Sequence, residues 1–179
     1  MKKKWFIYVM IAMLLVSFGW NLYLFRENNR FKESEGSKYQ SAVNKTIFNV
    51  QPQLPDEWAK ELIDNDDVKL QEREIDKIYE LSHLFGSSSM NPQMQDMMVD
   101  ELNHVVELMR MMQKEYDNGL DMKATMAELQ IHVDFIQEEL EGLKGSLDED
   151  GVYWYKELTG DSDMIEKMWG EYNEFRDSH

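Results

Sequence analysis

"MNPQMQDMMVDELNHVVELMRMMQKEYDNGLDMKATMAELQIHVDFIQEELEGLKG", residues 90–145, decides the fold. Met98, Val105 and Met112 recur every seven residues, with Leu102, Met109 and Tyr116 between them. Alternating steps of three and four put both sets on one stripe of an α-helix, the a and d positions of a heptad. Asn91 and Pro92 start that helix, because asparagine accepts from the open first-turn N–H groups and proline has no N–H to leave unpaired. "YDNG" (116–119) ends it, with Gly119 turning the chain out. Asp121 is placed to cap the next helix. There Met126, Val133 and Leu140 hold one register, Met122, Leu129, Ile136 and Leu143 the other, and Gly145 closes it. Two such helices, 92–117 and 121–144, joined by so short a loop fold back antiparallel.

Outward from this hairpin the chain stays helical. Pro52 and Pro55 stop whatever precedes them, and Asp56 and Glu57 suit a first turn, so a helix is expected over 56–85, kinked or broken at Asp64–Asp67. "GSSS" (86–89) is a loop. Short helices are expected at 152–159 and 162–176. In the second, Ile165, Met168, Trp169, Tyr172 and Phe175 form an apolar stripe, and Asp163 with Glu166 resembles a capping box. With "VYWY" (152–155) this stripe either covers the hairpin or presents aromatic side chains to a partner. The expected class is all-α: residues 55–179 form a small helical bundle, and 33–54 form a polar stalk.

The amino-terminal segment, residues 1–32, reads as an anchor. After Lys2, Lys3 and Lys4, the 21 residues from Trp5 to Phe25 carry no formal charge. As a helix they span ~31 Å, the thickness of a bilayer core. Trp5 and Tyr8 at one end, with Trp20 and Tyr23 at the other, suit the two interfaces. A cleaved signal needs small residues before the cut, and Ser17 and Gly19 are separated by Phe18, so an uncleaved anchor is expected. Basic flanks at Arg26, Arg30 and Lys32 balance the lysines. Its place at the chain start favours a cytoplasmic amino terminus and an extracytoplasmic bundle.

Charge limits the partners. Residues 1–32 carry six Lys/Arg against one Glu, net +5, and residues 33–179 carry 13 against 34 Asp/Glu, net −21. Such a surface repels phosphate backbones, which excludes nucleic acid, and it suits cations or a basic protein surface. With no cysteine, thiolate metal sites and cysteine nucleophiles are excluded.

Three constellations are candidates for chemistry. "SLDEDGVYWYKE" (146–157) resembles the twelve-residue EF-hand calcium loop, with Asp148 third, Asp150 fifth, Gly151 sixth and Glu157 twelfth. It departs from that pattern at Ser146, in the first position, and at Trp154, in the ninth, where no ligand is possible. Asp148, Asp150 and Glu157 are the metal residues this resemblance implies for Ca²⁺, and the alternative is a plain acidic connector. Among the seven methionines of residues 90–112, most fall on the seam. Met97, His104 and Met111 lie off it but ~10.5 Å apart, beyond a shared ion. Met94 with Met97 or Met98, joined by Met90, is the one thioether set within reach of Cu(I), against ordinary core packing. Finally, Glu80 with His83 and Glu101 with His104 have the spacing used in di-iron bundles. The periodicity turns Glu80, His83 and Glu101 outward and leaves His104 and His132 beside their seams, so no metalloenzyme is expected.

No phosphate loop, nucleophile elbow or dinucleotide fingerprint occurs. The expected function is therefore non-enzymatic: a membrane-anchored acidic bundle that binds another protein or itself. Metal sensing at 146–157, or less favourably at Met90–Met98, is the alternative.

Overall fold

The computed structural model describes residues 2–64, 68–147 and 150–179. All the regular structure among them is α-helical: α1 (Lys2–Asn49), α2 (Leu54–Asp64), α3 (Val68–Gly86), α4 (Pro92–Asp117), α5 (Lys123–Ser146), α6 (Gly151–Thr159) and α7 (Asp163–Ser178). The expected helix 56–85 is two helices, and Asn65–Asp67, between them, lie outside the described residues. The predicted hairpin is α4 and α5, which pack against each other.

Local chemistry accounts for the ends. Asn91 Oδ1 accepts from the Gln93 N–H at 2.9 Å with Pro92 at the first helical position. At the far end of α4, Gly119 takes φ +66°, its N–H bonding Tyr116 O and that of Leu120 bonding Glu115 O. This pair of bonds satisfies carbonyls the helix leaves open, and the left-handed turn needs glycine. Asp121 accepts from the Lys123 N–H at 3.1 Å, ahead of α5. In α7 the cap is Ser162, one residue before the expected Asp163, because its hydroxyl reaches the Ile165 N–H at 3.2 Å.

α4 is the central helix, packed by α2, α3, α5 and α7. A two-position seam is too narrow for that, so its burial spreads around the helix. Met98, Leu102, Val105, Met109 and Met112 are fully buried as expected, and so are Met94, Met97, Val106 and Leu108. The off-seam placing of Met97 is thereby corrected. Trp58 of α2, 2% exposed, donates its indole N–H to the Met109 carbonyl at 3.0 Å.

The largest departure from expectation lies in residues 33–54. Instead of a polar stalk, α1 runs without interruption to Asn49 and packs on α3, α5 and above all α6. Gly36, Tyr39, Val43, Thr46 and Val50 are buried, spaced three and four apart. Glycine and threonine here replace the large apolar residues that would have announced this stripe. At Gly36 the helix axes come so close that an added Cβ would overlap the Gly151 carbonyl and lie 2.9 Å from the Tyr155 nitrogen. Tyr155 stacks on Tyr39 at 6.3 Å and meets Phe31 edge-on at 5.9 Å. The α1 terminus is closed by Gln137 of α5, whose Nε2 donates to the Ile47 carbonyl at 2.8 Å and to that of Val50. Both carbonyls would otherwise be orphans of a helix end.

The first half of α1 is the opposite case. Its large apolar side chains from Ile7 to Phe25 are exposed, and the helix is long and apolar enough to cross a membrane.

Candidate functional site

The buried pair Glu101 and His132 lies where α4 and α5 face each other. Glu101 and His104 share one side of α4, and Glu128 and His132, four apart on α5, share the facing side. The antiparallel register sets Glu101 opposite His132 and His104 opposite Glu128. Glu101 Oε2 lies 2.7 Å from His132 Nδ1, with both side chains buried. His104 Nε2 lies 3.9 Å from Glu128 Oε1 in a more open setting, with the two side chains 39% and 54% exposed. The imidazole rings of His104 and His132 touch, their centroids 4.3 Å apart. One ligating atom from each of His104, Glu128 and His132 lies within 4.8 Å of the others. Phe175 of α7 closes the inner side, its ring edge-on to His132 at 5.1 Å and stacked on Phe135 at 4.2 Å.

This overturns the outward placing of Glu101 and the peripheral placing of His132, which are 5% and 8% exposed. A two-position seam implies one partner for α4, whereas α7 covers a second side. The expectation for Glu80 and His83 stands: both are exposed. The sequence signal for this cluster was the pair Glu128 and His132, one helical turn apart, which counts only once the hairpin's register is known.

Beside the cluster, the Tyr172 hydroxyl approaches Asp100 Oδ2 at 3.3 Å. Burial, then the neighbouring Asp100 and Glu101 carboxylates, push its pKa up to about 12.

Of the calcium-loop residues, Asp150 and Glu157 are described. Asp148 lies outside the described residues. Asp150 is the N-cap of α6, its Oδ1 accepting from the Val152 N–H at 2.8 Å, and Ser146 spends its hydroxyl on the Gly142 carbonyl. Gly151 begins a helix pressed against α1 instead of making a left-handed turn. Glu157 follows on the same helix, ~10 Å further along its axis. The copper candidates Met90, Met94, Met97 and Met98 are at most 4% exposed, within the apolar core.

A second acidic place lies between α5 and α7, in a groove of about 490 Å³. Here burial, reinforced by the Glu171 carboxylate and its hydrogen bond, pushes Glu139 up to about 7, against the lowering effect of Lys167. The folded chain holds this proton where the unfolded chain has released it. The stabilisation is therefore full below the ordinary carboxylate value of 4.5 and is lost as pH rises through about 7. Glu139→Gln is expected to remove this slope from the melting midpoint between pH 5 and 8. At pH 8 it should stabilise by ~1 kcal/mol, a figure reduced for solvent screening at a half-buried site.

The chain matches no protein-family model, no curated protein and no solved structure.

Proposed function

We propose that the protein is a single-pass, membrane-anchored helical module with no catalytic role, which holds an acidic bundle against the extracytoplasmic membrane face to engage a basic surface of another protein. The observation that carries this reading is α1 itself. One uninterrupted helix is bare and apolar over Ile7–Phe25 and is part of the bundle core from Gly36 to Thr46. Only lipid or another apolar surface offsets the cost of exposing those side chains, and a helix so continuous holds the bundle close to whatever covers them. The net −21 of residues 33–179 supplies the complementarity to a basic partner, which steers association and weakens with salt.

The test is photo-crosslinking in intact cells, with the reactive group at Tyr153, an exposed ring on α6. The expected result is a discrete adduct with one protein, diminished by raised salt and accessible to protease added from outside. A smear of unrelated adducts, or protection of the bundle from external protease, would contradict the reading. An adduct of twice the chain's own mass would identify the partner as a second copy.

A further inference from the structure

We infer that His104, Glu128 and His132 form a binding site for a divalent first-row transition ion, Zn²⁺ foremost, with Glu101 as the positioning residue behind His132. The site is independent of the anchor and of any protein partner.

Three features of the cluster support a metal over a simple ion pair. First, Glu101 holds His132 through Nδ1 at 2.7 Å, which fixes the ring and leaves Nε2 as its ligand atom. A buried carboxylate behind an imidazole is the usual outer support of a metal-bound histidine, and it raises the basicity of the ligating nitrogen. Second, two imidazoles lie ring to ring at 4.3 Å, with a carboxylate one helical turn from His132 completing the set. Packing gains little from placing two titratable rings in contact, whereas a shared ion accounts for the convergence of their nitrogens with the Glu128 carboxylate. Third, the ligand atoms are already near bonding positions. One ligating nitrogen of each histidine and one Glu128 oxygen lie within 4.8 Å of one another, and zinc bonds of ~2.0–2.2 Å require small inward movements of the His104 and Glu128 side chains. His104 and Glu128 are the two half-open side chains and are free to make that adjustment; His132 is locked.

The donor set selects the class of ion. Two nitrogens and one carboxylate suit Zn²⁺ and its first-row neighbours, while Ca²⁺ requires six to eight oxygens. Three protein ligands leave a fourth position, on the side where Glu128 faces solvent, for water or an incoming group. Bound there, the ion would clasp the hairpin at mid-length, under the carboxy-terminal helix.

The experiment uses the untagged full chain in detergent micelles, stripped with chelator and titrated with Zn²⁺ by calorimetry and with Co²⁺ by visible absorption. The expected result is one equivalent bound at micromolar or tighter affinity, with the intense bands of four-coordinate Co²⁺ and no competition from millimolar Ca²⁺. His104→Ala and Glu128→Gln should each weaken binding by about a hundredfold, and Glu101→Gln, which keeps a hydrogen bond to Nδ1, by ~10–100-fold. All three must keep their midpoint in chelator, so that lost affinity is not lost folding; the exposure of His104 and Glu128 makes those two safe in this respect. His83→Ala and His179→Ala should change nothing. The inference is overturned if no stoichiometric binding occurs or if Ca²⁺ displaces the ion. It is equally overturned if binding survives His104→Ala and Glu128→Gln, since the ion would then sit on scattered surface carboxylates.

Discussion

Gly36→Val is expected to destabilise the bundle by about 3 kcal/mol or more and to free α6 from α1, because overpacking against backbone has no cheap relief. A Cβ at Gly36 meets the Gly151 carbonyl, and one at Gly151 would lie 2.6 Å from the Glu33 carbonyl oxygen, so neither helix has a flexible side chain to move aside. The response should be graded, with Gly36→Ala already harmful. Gly142→Ala is the internal control. Its Cβ would meet nothing within 4 Å on α5, so it should stabilise by ~0.5–1 kcal/mol through helix propensity alone. Thermal melts followed by tryptophan emission measure both, since Trp154 on α6 is buried, 1% exposed, in the same packing. Equal behaviour of the two glycine variants would show that the α1–α6 contact contributes nothing.

Trp58→Ala is the second large effect, expected to cost ~3–5 kcal/mol. Trp58 is among the largest fully buried side chains, and it is the indole through which the short helix α2 grips the centre of α4. Eleven residues are too few for α2 to persist alone, so its helicity depends on this contact. Trp58→Phe separates the two contributions: the apolar volume is mostly kept and the bond to the Met109 carbonyl is lost, for ~1 kcal/mol. Denaturant unfolding at constant m-value would report both variants. A Trp58→Phe as damaging as Trp58→Ala would assign the effect to the lost indole hydrogen bond and not to the cavity.

Much of this architecture was legible because its signals are local. The heptads of α4 and α5, the Asn91–Pro92 start and the Gly119 stop are written within a few residues of where they act. Residues 36–50 were not legible, because the face they bury is made of Gly36, Tyr39, Val43, Thr46 and Val50. Hydropathy cannot see that pattern, because glycine is used for its absent side chain and Thr46 returns its hydroxyl to the Ala42 carbonyl at 3.0 Å. Glu101 and His132 failed for another reason. Each is unremarkable on its own helix and becomes a buried pair only through a register that no spacing within one helix encodes. In the calcium-like loop one residue serves two chemistries. An aspartate before a glycine is equally a loop ligand and a helix cap, and packing of Gly151 on α1 favours the cap.

The unbroken course of α1 also sets a distance. From Phe25, the last uncharged residue of the apolar segment, to Phe31, the first ring to meet α6, is six residues, ~9 Å of rigid helix. A flexible tether of that length would let the bundle wander; this one gives it a fixed height and a fixed compass bearing. If the apolar segment lies in lipid, as proposed, any tilt or turn of it would swing the whole bundle with it.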